Sequence, residues 1–216
     1  MKVTGDVHIV EGILEGASSV GGRLEADAVR SQGSLDVEGA VDVRGTFSSS
    51  GTLHAGRTVH AGEGELRGSC RISGAVTVDR ALSVRGSLLA PSVTAGAVTL
   101  VGEAEVPGTV TAGAATFRLT ANSTFGTVQA RDVTVHGKVP NLVEKVLGRR
   151  VIVRVRRVEA ERADLEGVDV DFVHAPEIRL GRDAHVTEYE GTIVHRHPTS
   201  RVGFESKSPP PFGLRR

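Results

Sequence analysis

Cysteine is almost missing from this 216-residue chain: Cys70 stands alone. No intramolecular disulfide and no cysteine cage for zinc can form. Aromatic residues make up 3% and tryptophan is absent, which removes the stacking platforms that bind single-stranded nucleic acid. Neither sign of charge dominates, with 26 basic and 26 acidic residues. No global field therefore recruits nucleic acid or an acidic surface. No apolar run approaches the length needed to cross a bilayer. The opening MKVTGDVHIVEG carries neither a signal-peptide core nor a myristoylation motif. The expectation is a cytoplasmic protein without a nucleic-acid partner.

Glycine, by contrast, is abundant: 27 residues, with no collagen period of three. In GSLDVEGAVDVRGTFSSSGTLHAG it returns at Gly33, Gly39, Gly45 and Gly51. Between the glycines, apolar side chains come in alternate pairs: Leu35/Val37, Val41/Val43, then Phe47/Ser49, Leu53/Ala55 and Val59/Ala61. The series runs on through Cys70/Ile72, Val76/Val78 and Leu82/Val84 to Val110/Ala112. A spacing of two within each pair is strand periodicity. The step of about six between pairs is far too short for an independent strand and its hairpin turn. A bend of constant sense at each glycine resolves this. Three short strands make a triangular coil, and coils stack at ~4.8 Å into a parallel β-helix. Apolar pairs fill its lumen, while Asp36, Glu38, Asp42 and Arg44 face water. Cys70 falls in a lumen slot and reads as a small buried hydrophobe.

The pattern divides the chain. Residues 1–30 form an irregular lead-in, and 31–139 form the β-helix. At 140–150, PNLVEKVLGRR places Leu142, Val143, Val146 and Leu147 on one helical face, a short helical or turn interruption. A second β-helical block covers 151–204, with Val151, Val153 and Val155 on one face and Val168/Val170, Ile178/Leu180 and Ala184/Val186 after them. Residues 205–216 make a disordered, proline-rich tail.

The glycine-punctuated LDVEGAVDVRG and CRISGAVTVDRALSVRG, with the later VEAERADLEGVDVDFVHAPEIRLGRDAHVTEYEG, resemble the bactofilins. These are polymer-forming cytoskeletal proteins of bacteria, and the match is to a longer subgroup. The resemblance covers about three quarters of the chain and implies an all-β, right-handed parallel β-helix. It further implies end-to-end, non-polar filaments formed without nucleotide. Such filaments recruit other proteins, often at the inner face of the membrane. The partners expected are the chain itself, other bactofilin-like chains and client proteins, with peripheral membrane contact through basic pairs such as Arg149/Arg150 and Arg156/Arg157. An uncapped coil is itself a docking template. It points to Val7 and Ile9 at one end and to Ile193, Val202 and Phe204 at the other as the self-assembly contact.

No catalytic, cofactor-binding or metal-ligating residue is assigned, and no cofactor is expected. The main rival is a hexapeptide-repeat enzyme of the acyltransferase or carbonic anhydrase type. A metal version needs three converging histidines, whereas His54 and His60 point outward on different faces and His195/His197 sit near the tail. Polysaccharide lyases on β-helices need an aromatic-lined groove and clustered carboxylates. A third reading is a non-polymerising β-helical adaptor that offers its strands, or SPPPFG, to partners.

Overall fold

The computed structural model describes residues 2–138 and 151–206. Every described element is a strand: twelve of them form one parallel sheet in strict sequence order, β1 through β12. They are β1 (Lys2–Val3), β2 (Val7–Val20), β3 (Leu24–Val37), β4 (Val41–Ala55), β5 (Val59–Ile72) and β6 (Val76–Leu89). The rest are β7 (Val93–Leu119), β8 (Ser123–Gly137), β9 (Val153–Glu166), β10 (Asp169–Leu180), β11 (His185–Arg196) and β12 (Arg201–Glu205). Each element wraps around the rod and pairs with the copy of itself one turn later, giving a β-solenoid of about eleven turns. The helical interruption expected at 140–150 lies outside the described residues, as does the tail from 207.

Three faces repeat. Taking the coil that starts at Gly33, the first-face strand of the next turn is Val41–Val43, and it stacks below on Leu24–Ala26 and above on Val59–Ala61. The second face stacks Phe47–Ser49 on Val29–Ser31. The third stacks Leu53–Ala55 on Leu35–Val37 and under Cys70–Ile72. Alternation puts the paired residues inward, and Leu35, Val37, Val43, Leu53, Ala55 and Ala61 are all fully buried. Of the inward pairs read from the period, Ala112 is an exception, lying half-buried against the column. Phe117 and Phe125 stack inside the lumen with ring centroids 4.8 Å apart and planes 12° from parallel.

Coil length stays between 16 and 19 residues through the first part. It jumps to 30 where β8 meets β9, then settles near 16. The register across the jump is clean, with Ser123 opposite Val153 and His136 opposite Glu166. The second block therefore continues the same rod rather than starting a new one. At the other end, residues 7–30 form coils in register with the next turns of the rod, Val7 opposite Leu24 and Gly16 opposite Gly33.

Corners explain the glycines. Gly16, Gly33, Gly51, Gly68, Gly86 and Gly102 stack in one column, all with φ between 68° and 133°. A Cβ on Gly51 would overlap the carbonyl oxygen of Gly33 directly beneath it. Both the left-handed turn and the backbone-on-backbone contact thus require the missing side chain. Gly39 and Gly45 serve the other two corners, where a Cβ would lie 2.6 Å from the carbonyl oxygens of Gly22 and Asp27.

Some lumen slots are polar. Ser31 and Ser49 face each other across one coil step, and neither buried hydroxyl has a hydrogen-bond partner. Cys70 is 2% exposed, and burial pushes its thiol up to about 11, so it stays protonated and unreactive at neutral pH.

Gly51→Ala is expected to lower stability by about 1–3 kcal/mol from backbone strain alone, read as a lowered urea midpoint, with amide exchange rising first in β4 and β5. An unchanged midpoint would contradict the corner assignment. Ser49→Ala removes an unpaired buried hydroxyl and is expected to be neutral or stabilising by up to about 1 kcal/mol; a clear loss of stability would mean that the hydroxyl has a partner.

Candidate functional site

Outward side chains line up in columns because coils repeat in register, so each polar residue meets the residue one turn away. The most connected group lies on the first face. The ring of His60 contacts Asp42 of the coil below through Nδ1 at 3.2 Å and Asp79 of the coil above through Nε2 at 3.3 Å. Arg23 donates to the second Asp42 oxygen at 2.6 Å and also pairs with Glu25 at 2.8 Å. The Asp42 hydrogen bond holds His60 above its ordinary pKa; partial burial works the other way, and Asp79 adds to the rise. For Asp42, burial acts to raise the pKa, but hydrogen bonds from His60 and Arg23 outweigh it and hold the carboxyl low.

The same device recurs along the rod. His54 meets Asp36 at 2.9 Å, His136 meets Glu166 at 3.1 Å and His174 meets Glu190 at 2.9 Å. His8 and Glu25 are 3.4 Å apart, and His185 and Asp169 are 3.8 Å apart. In each case the two partners sit on successive coils. These contacts couple neighbouring turns and leave each histidine with a carboxylate partner. His54 and His60 do lie on different faces, opposite Asp36 and Asp42 respectively, and among the described residues no group of three or more His, Cys, Asp or Glu converges to hold a metal. His195 and His197 belong to the last turns, where His197 Nδ1 lies 3.0 Å from the Thr199 hydroxyl.

Basic residues are drawn into similar pairs. Arg157 donates to Glu159 at 2.5 Å and lies 4.5 Å above the Phe172 ring. Glu159, also bonded by Gln129, is held below its ordinary range by that amide first and by Arg157 second. Arg156 donates to the Pro107 carbonyl at 3.1 Å. Arg149 and Arg150 lie outside the described residues. A surface groove of about 420 Å³ near the jump in coil length is lined by Lys138, Asp169, Asp183, His185 and Arg201, among others, with no Phe, Tyr or Trp. It presents paired opposite charges and lacks the sugar-stacking wall a lyase groove needs.

The ends differ from the sides. β2 has only the two residues of β1 beyond it, opposite Ser19 and Val20. β12 covers β11 only from His185 to Tyr189. The remaining edges of both end coils meet no described strand. Val7 and Ile9 are half-buried against the column at one end, with Ile193 and Val202 so placed at the other. Phe204 is 61% exposed; its register partner Glu188, opposite Phe172 in turn, puts it on the outer surface rather than in the lumen mouth. Sequence reasoning missed Val10 and Ile13, exposed on the first coil, and Arg196 and Glu205, which take up inward register positions at the last. The signal for the first pair was there: VHIVEGIL carries more apolar residues than alternation accounts for.

No family model, curated protein or solved structure matches the chain.

The His60 contacts set a pH dependence. A histidine whose pKa is raised by folding contributes stability below its unfolded value of 6.5 and loses it as pH rises through the folded pKa. Asp42, lowered from 3.8, contributes above that value and loses it as pH falls through the folded one. His60→Gln is therefore expected to cost most between these limits and almost nothing at alkaline pH. Because both side chains are at least a third exposed, the loss should stay under about 1 kcal/mol. A cost independent of pH across this range would show that the ring acts by packing instead.

Proposed function

We propose that the protein is a non-enzymatic, bactofilin-like scaffold that associates with itself end to end, without nucleotide or metal, and positions other proteins along its sides. One observation carries this reading: turn-to-turn pairs run along the sides of the rod, whereas at both ends strand edges and half-buried aliphatic residues are covered by no described residue. An open parallel edge above a continuous apolar column is a template for another such edge. Stacking a second solenoid there extends hydrogen bonds and the column together, and nothing in that process consumes a nucleotide. The evenly spaced outward columns offer repeated, rigid positions to client proteins, which suits a scaffold better than a catalyst. The bactofilin-like repeat and later segment support the same reading, with a site of action in the cytoplasm or at the inner face of the membrane.

Light scattering and negative-stain microscopy of the purified full chain, free of nucleotide and metal, test the proposal. Rods joined at their ends are expected. A chain that stays monomeric at every concentration would end the proposal, and a discrete trimer with clefts between subunits would favour the hexapeptide enzymes.

A further inference from the structure

The two ends of the rod are chemically unequal. At the N-terminal end the inward positions hold Val3, Val7, Ile9 and Leu14. Ile9 lies across the mouth of the column, since a Cβ on Gly12 would overlap its Cδ1. Outside, Val10 and Ile13 are 66% and 69% exposed, the two most exposed large hydrophobics described. At the C-terminal end two inward columns finish in the half-buried Ile193 and Val202, but two others finish in charge. Arg196 stands in register on Leu180, and Glu205 stands on Tyr189 and, one turn further in, Val173. The Arg196 guanidinium donates to the Ser200 carbonyl at 3.4 Å.

We propose that the chain pairs with a second copy through the N-terminal ends alone, about a two-fold axis, and that the charged C-terminal end halts growth at a pair. This rests on the end-to-end association proposed for the rod and departs from the endless filaments that the bactofilin resemblance implies.

The shape of the N-terminal end favours a twin. A solenoid climbs one strand spacing per turn, so its end is a ramp. Lys2–Val3 stands lowest on the third face, Val7–Ile9 next on the first, and Gly12–Leu14 highest on the second. Turned about a two-fold axis through the Val7–Ile9 face, a second copy matches this ramp at one strand spacing on all three faces. The Val7–Ile9 strands meet each other antiparallel, placing Val7 opposite Ile9. Gly12–Leu14 of each copy meets Lys2–Val3 of the other. Lys2 then falls between Glu11 and Glu15, two carboxylates for which no described residue of the same chain supplies an ion pair. The exposed Ile13 is covered in the same step. Such an isologous contact closes on itself.

The C-terminal end has no equal reward. Stacking there must take Arg196 and Glu205 out of water, and even a second C-terminal end that brought the two together would return little more than the dehydration costs.

Size-exclusion chromatography with multi-angle light scattering, and negative-stain microscopy of the full chain at physiological salt, should show a two-subunit rod of doubled length. Val7→Arg should give monomers, and so should Ile13→Arg, whose exposed site spares the fold; circular dichroism should be unchanged in the latter. Phe204→Arg should stay paired. The double variant Arg196→Leu/Glu205→Val should grow beyond pairs. Long filaments from the unaltered chain, pairing lost in Phe204→Arg yet kept in Ile13→Arg, or a double variant that still stops at pairs would each overturn this inference while leaving end-to-end association standing. A chain that is monomeric throughout sinks both.

Discussion

Backbone must touch backbone wherever this chain turns. A coil of three short strands leaves only about three residues between one face and the next, and the next coil arrives a single strand spacing above. In the column that rises from Gly16 to Gly102, each glycine above the first rests directly on the carbonyl of the glycine beneath. That contact sets the pitch and keeps the three faces in register, and it allows alternate side chains from successive turns to meet in a single lumen. The apolar column supplies the stabilisation, but only because the corners let the strands come close enough to share it.

Much of this was legible in the residues. The pairs from Leu35/Val37 onward, divided by glycine, allow no helix and no hairpin, and nearly every inward position read from the period is buried. What escaped has physical reasons. The first coils look irregular because Ser18 and Ser31 take lumen slots and Gly12 yields its place to Ile9; hydropathy does not mark such positions as core. The His–carboxylate contacts could not be read because their partners lie 16 to 30 residues apart, and that interval changes wherever a corner gains or loses a residue. Composition does not reveal the parity of β12, which turns Phe204 to the outer surface of the last turn.

Function grows from the contrast between sides and ends. Along the sides, opposite charges satisfy one another from turn to turn, as Arg23, Asp42, His60 and Asp79 do. On such a surface these charged groups spend their hydrogen bonds on the neighbouring turn, which fixes one coil against the next. At the ends the same regular geometry leaves backbone groups and aliphatic residues without a neighbour among the described residues. The proposed self-association draws on that contrast: the terminal coils, unlike the sides, present strand edges to a second copy.

The leap from an 18-residue to a 30-residue step between β8 and β9, with no loss of alignment at His136 and Glu166, shows how forgiving a corner is of added chain. The described turns on either side, ending at Lys138 and resuming at Val151, stay in register. The same site would accept a grafted peptide or a fluorescent tag, and would carry it at a known height on a rigid post.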